Sequence, residues 1–201
     1  MNPRPSASSP LRSFKTILAA LLLTSLALPA IAQAPKSLLP AFGNEGADFT
    51  TKAKNGNVVH GWLPNGWNDN TEWAPVSATY TKLTDSPDKD AGAVRIKIEK
   101  VEEGGLLQLT TYAGDHQYKK GVHYLVTGWL RSPDEISVKL GARQLKDPYE
   151  FYHEQQLSTG KDWKRFEFTF TPTTDVEAIV MFVVESVGTV DLAGVTVAEK
   201  P

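Results

Sequence analysis

Cleaving a glycosidic bond takes two carboxyl groups that face each other across a cleft, and few acids in this sequence stand in that relation. Glu102 and Glu103 are neighbours, so on a strand they would point to opposite faces. Asp134 and Glu135 follow Pro133 in a turn-like stretch. His60, His116, His123 and His153 show no zinc-ligand spacing, and Gly114-Asp115-His116 reads as a turn rather than a dyad. There is no Gly-x-Ser-x-Gly elbow, no Glu-x-Asp-x-x-Glu strand and no glycine-rich phosphate cradle ahead of a helix. The chain has no cysteine, which removes thiolate metal sites, a cysteine nucleophile and a lipid-acylation site. The expectation is a non-catalytic protein without metal or cofactor.

The aromatic residues suggest binding instead. Trp62, Trp67 and Trp73 are three of the five tryptophans, and they stand among Gly, Pro, Asn and Asp. On irregular backbone an indole either plugs the end of a core or offers a flat face to a ligand. Pyranose rings have apolar C–H faces and polar rims, so flat aromatic faces suit them. Both roles stay open for Trp67, Trp73 and Trp129, whereas Trp62 and Trp163 read as structural, Trp163 because it starts an alternating strand. A second loop, Lys146–Glu154, carries Tyr149, Phe151 and Tyr152, which could cap a sheet edge or touch a glycan.

The first residues read as a leader. Arg4, Arg12 and Lys15 precede the apolar run 16–28, which is too short to cross a bilayer, and Ala30-Ile31-Ala32 has the small-x-small cleavage pattern. Residues 1–32 are therefore expected to be a signal peptide cut after Ala32, with a secreted or periplasmic domain over 33–201. Without the leader the net charge moves from −2 to about −5, which argues against nucleic acid or anionic lipid as partner. No other apolar run is long enough to insert in a membrane.

Helical periodicity is nearly absent. Strands are expected at 78–83, 93–101, 106–112, 123–131, 136–145, 163–171, 176–185 and 189–198, separated by turn residues. With the chain's opening segment this gives about nine strands and an all-β antiparallel sandwich of jelly-roll type. Residues 43–60 read as a loop or irregular arm.

The order of several motifs resembles the carbohydrate-binding modules of the cellulose- and xylan-binding jelly-roll type (families four and nine), which have a galactose-binding-like fold. The residues are Leu38-Leu39-Pro40-Ala41-Phe42, Pro64-x-Gly66-Trp67, Gly92-Ala93-Val94-Arg95-Ile96, Gly121-x-x-Tyr124-x-x-Thr127-x-Trp129-x-Arg131, Trp163-x-x-Phe166 and Gly188-x-x-x-Leu192-Ala193-Gly194-Val195. The resemblance spans roughly 38–198. It implies a polysaccharide or oligosaccharide partner, β-glucan or xylan, and an accessory role in polysaccharide degradation. Such modules normally hang on a glycosidase, whereas residues 33–201 leave no room for a catalytic domain. Many members also hold a structural calcium with acids at positions that here are Gly43 and Ala193. Calcium needs several hard oxygen ligands, so no calcium is expected at that place.

Strand alternation sorts the candidate ligand residues. Gln108 and Tyr112 share one face of their strand. Leu125, Thr127, Trp129 and Arg131 share one face of theirs, and Lys139, Gly141 and Arg143 share another. If these faces line one concave surface, Gln108, Tyr112, Trp129, Arg131 and Arg143 come together, with Trp67, Trp73, Tyr149 and Tyr152 around them. The alternatives are an envelope protein-interaction sandwich without sugar binding and a small glycan-active hydrolase. Oligomeric state is left open.

Overall fold

A computed structural model describes residues 36–200 except 44, 88, 90 and 112–116. The expected leader lies outside the described residues. Alternation of apolar and polar side chains builds strands almost throughout: β1 Gly46–Lys52, β2 Val58–Pro64, β3 Trp67–Asp69, β4 Val76–Leu83, β5 Ala93–Val101, β6 Leu107–Thr111 and β7 Gln117–Tyr118. They are followed by β8 Tyr124–Arg131, β9 Ser137–Gln144, β10 Phe151–Ser158, β11 Lys164–Phe170, β12 Val176–Val184 and β13 Gly188–Glu199.

The strands form two sheets. One has the order β1-β2-β4-β5-β13-β8-β11, and the other β10-β9-β12-β6-β3, with the short β7 added to the side of β12. All pairs are antiparallel except β2 with β4. The eight strands expected from alternation all form. The extra ones lie where loops were expected. Residues 43–60 contain β1 and the start of β2, which pair over seven residues, and the loop expected over 146–154 ends at Phe151, where β10 begins. These strands lie at or next to sheet edges, where β1 is mostly exposed and β10 is only half-buried on its inner face, so the alternation that makes a strand legible is weak.

The core fills the space between the sheets. Val94, Ile96 and Ile98 of β5, Tyr124, Val126 and Leu130 of β8, Phe166, Phe168 and Phe170 of β11 and Val180, Phe182 and Val184 of β12 all belong to one buried cluster. Tyr118, Tyr124 and Phe170 pack ring against ring at 4.8–5.3 Å. Burying such aromatics contributes area and edge-to-face contacts together.

Two tryptophans differ from expectation. In β3, Trp67 and Asp69 point inward and Asn68 outward; Trp67 is 5% exposed and packs 5.3 Å from Phe42 and 5.6 Å from Phe182. It closes the core and has no free face. Trp163 shares the parity of Arg165 and Glu167, the outward residues of β11, not of Phe166 and Phe168. It is half-buried under the Arg131 guanidinium at 4.3 Å rather than in the core.

Candidate functional site

Strand β12 is apolar on both faces. Ala178, Val180, Phe182 and Val184 face the core. The alternate residues Ile179, Met181 and Val183 face out from the six-stranded sheet, yet they are only 2%, 4% and 3% exposed. Outward apolar side chains that water barely reaches must lie beneath taller neighbours. They form a covered apolar base along the outer face of β12, and at its Val183 end the surface opens into a trough.

Pairing register names those neighbours. Ile179 lies opposite Arg143, Met181 between Gly141 and Thr110, and Val183 between Lys139 and Gln108. Across β9, Phe151 pairs with Arg143, Glu154 with Gly141 and Gln156 with Lys139. Residues paired across a ladder share a face, so all of these flank the floor. Gly141 leaves little room in the middle: a Cβ there would meet the His153 carbonyl oxygen at 3.1 Å and Met181 Cγ at 3.4 Å.

One end of the trough is aromatic. After a cis Asp147–Pro148 bond, the Tyr149 amide donates to the Lys146 carbonyl at 2.8 Å, and Tyr149 adopts a left-handed φ of 58°. A non-glycine residue rarely holds that conformation without a reason. Here it leaves the phenol ring 52% exposed and 5.1 Å from the Arg143 guanidinium carbon. Phe151, 48% exposed, pairs with Arg143 across the β9–β10 ladder. Burial pulls the Arg143 pKa below its ordinary value, and the neighbouring Tyr149 partly offsets this.

The other end is polar. Ser137, Lys139, Gln156, Val183, Glu185 and Ser186 line a cavity of about 210 Å³, crossed by a Lys139–Glu185 pair at 3.5 Å. On the flank, Asn70 Nδ2 donates to Gln108 Oε1 at 2.6 Å. Gln108 is 5% exposed, so this bond satisfies a polar group that burial would otherwise penalise.

The trough gathers some of the expected residues and not others. Gln108, Arg143 and Tyr149 belong to it. Tyr112 lies outside the described residues. Tyr152 falls at the β10 bulge between Phe151 and His153 and packs against the core. Trp73 is 50% exposed in the turn after β3. Trp129 and Arg131 do not join Gln108 and Arg143, because β8 pairs with β13 and β11 in the other sheet. The single concave surface expected from alternation is therefore two opposite outer faces. Sequence reasoning passed over the floor of Ile179, Met181 and Val183. Its signal was the unbroken apolar run of β12, which marks a strand covered on both sides.

On that opposite face Arg131 has another role. Asp191 is fully buried and accepts from Arg95 Nε at 2.8 Å, Arg95 Nη2 at 2.9 Å and Arg131 Nε at 2.7 Å, while Arg131 Nη2 reaches Asp85 at 2.7 Å. Burial opposes the charge on Arg131, but the bonds it donates to Asp191 and Asp85 hold its pKa above the ordinary value. This is a cross-strand tie joining β5, β13 and β8.

The calcium that the family resemblance implies does not fit these residues. A Cβ on Gly43 would lie 2.4 Å from the Gly92 carbonyl carbon, so no carboxylate can stand there. Backbone bonds close the place instead: Gly92 N–H donates to the Phe42 carbonyl at 2.8 Å and Gly194 N–H to the Gly92 carbonyl at 3.2 Å. Ala193 is buried, and among the described residues no three His, Asp or Glu side chains gather as metal ligands.

Burial raises the carboxyl pKa of Asp69, which hydrogen bonds from Thr71, Thr51 and Tyr80 oppose. A raised carboxyl can mark a general acid, but Asp69 is enclosed between the sheets, facing Tyr80, and does not open onto the trough. No described helix is long and apolar enough to cross a membrane.

Residues 77–188 match the family described as "Carbohydrate binding domain". Among solved structures, a protein described as "CBM4 structure and function" superposes with a TM-score of 0.56 at 18% identity, covering 82% of this chain and 100% of the other. The enzymatically active domain of tailspike protein 4 from bacteriophage CBA120 superposes with a TM-score of 0.54 at 14% identity. It covers 68% of this chain, which spans only 20% of the tailspike chain. The CBM22-1-GH10 modules of xylanase 10B from Clostridium thermocellum, complexed with xylohexaose, give a TM-score of 0.51 at 13% identity over 68% of this chain and 26% of the other. These likenesses establish the jelly-roll fold. No curated protein matches the chain.

Proposed function

The chain belongs to the carbohydrate binding domain family, and from that premise we propose that it is a secreted or periplasmic, non-catalytic module that binds a polysaccharide in the trough of the six-stranded sheet. The observation that carries the proposal is the pair of exposed aromatic residues, Tyr149 and Phe151, beside the polar groups of β9 and β10 on the outer face of the six-stranded sheet. A sugar ring needs this combination. Its C–H face packs on apolar and aromatic surface, and its hydroxyls exchange hydrogen bonds with amide, guanidinium and ammonium groups at fixed positions. Arg143, Lys139 and Gln156 supply those groups, with Gln108 held beneath them by Asn70. Xylan heads the list of ligands to try, because one structural neighbour was solved with xylohexaose, and β-glucan follows from the family resemblance.

The test is affinity electrophoresis of the protein on a polysaccharide panel, repeated with variants of both faces. Gly141→Leu fills the floor beside Met181, and Tyr149→Ala removes the exposed ring. Each is expected to weaken retention by roughly tenfold, about 1.4 kcal/mol. Trp129→Ala, on the opposite sheet, is expected to leave retention unchanged. Retention by no polysaccharide would favour a protein-interaction role. A reversed pattern would move the site to the outer face of β8.

A further inference from the structure

Arg143 is the most unusual charged group in the trough. It is half-buried, and desolvation disfavours its charge. Its guanidinium donates from Nη1 to the Gln144 carbonyl at 2.9 Å and faces the Tyr149 ring. Among the described residues it has no carboxylate partner. The contrast with Arg131 is direct, since that guanidinium holds two acids at 2.7 Å. The other charges nearby are engaged or displaced: Lys146 pairs with Glu177 at 2.8 Å, and Lys139 with Glu185 at 3.5 Å. Glu154 stands opposite Gly141 on the same face without reaching the guanidinium.

With Nη1 engaged by the Gln144 carbonyl, the Nε–Nη2 edge remains, and that edge presents parallel N–H groups matched to a planar carboxylate. Partial burial strengthens such a pair by lowering the local dielectric. Resting on the glycan-binding reading of this trough, we infer that Arg143 recognises a carboxylate on the bound polysaccharide, so that the preferred ligand carries uronic acid residues. Tyr149 holds the fork in place and offers its outer surface to the same sugar ring.

The test compares binding of the full chain to polygalacturonate, to its methyl ester and to neutral β-glucan and xylan, by isothermal titration at low salt. The ester keeps the sugar and deletes the charge. Expected are a preference of roughly tenfold or more for the acid over the ester, its decline as salt is raised, and its loss in Arg143→Gln. Arg143→Lys keeps the charge but not the fork and is expected to recover only part of the preference. Equal binding of acid and ester, with neutral glycans also bound, overturns this inference and leaves glycan binding standing. A sulfated glycan that matches the uronate overturns the carboxylate assignment. Binding of none of them overturns both readings. Unchanged melting temperatures of the two variants show that a lost preference is not lost folding.

Discussion

Replacing Asp191 by Asn tests whether the two arginines around it form a structural tie. The side chain keeps its shape, loses its charge and puts an NH2 group against guanidinium donors. Three charge-assisted hydrogen bonds at 2.7–2.9 Å are affected. Removing one partner of a fully buried ion pair costs about 3–5 kcal/mol. That range is too high here. The Arg95 side chain is 39% exposed and can rehydrate, and Arg131 keeps Asp85. The buried carboxylate's own desolvation cost also disappears with it. A loss of about 2 kcal/mol remains, close to one or two charged hydrogen bonds. For a domain of this size that is roughly 4–8 °C in Tm. Thermal unfolding followed by far-ultraviolet circular dichroism at pH 7 measures it, and urea unfolding should show a lower midpoint with the same slope. Asp85→Asn is the control: its side chain is 65% exposed, and its loss should cost less than about 1 kcal/mol. A shift below about 1 °C for Asp191→Asn would refute the tie.

Trp67→Ala should destabilise the fold by about 3–5 kcal/mol, as for other large aromatics removed from a core, seen as a fall in the urea midpoint; a variant of normal stability with weakened glycan retention would return Trp67 to the binding surface. His153 stacks on Phe168 at 4.5 Å, and burial lowers its pKa. Its neutral form is favoured in the folded state, so stability should be full above its unfolded value near 6.5 and fall as pH drops through the lower folded value; His153→Gln should flatten that part of a Tm–pH profile. Glu102 is held at about 2 by Lys100 first, then by Asn55 and Asn57. The stability it adds should be present above about 4.5 and be lost as pH falls towards 2, a dependence that Glu102→Gln removes. A chelator should leave the Tm unchanged, since Gly43 and Ala193 supply no carboxylate for calcium.

Alternation along the chain determined more about this protein than any single motif. The period of two set Leu125, Thr127, Trp129 and Arg131 on one face of their strand, away from the buried Tyr124, Val126 and Leu130, as the structure has them. It works because successive side chains on a strand must point to opposite faces, whatever the strand's neighbours. Trp163 was read as structural because it starts an alternating strand, but its parity with Arg165 and Glu167 puts it on the outward face under Arg131. Edge strands β1 and β10 escaped because their inner faces are only half-buried and partly polar, which leaves a weak pattern. Only the tertiary structure decided which sheet each strand joins. That choice depends on hydrogen bonds between segments far apart in sequence: β8 could have laid Trp129 beside Arg143, but its ladders with β13 and β11 place it on the other side of the core. The trough arises at the same level, from outward residues of β12, β9, β10 and β6 that meet only through pairing register.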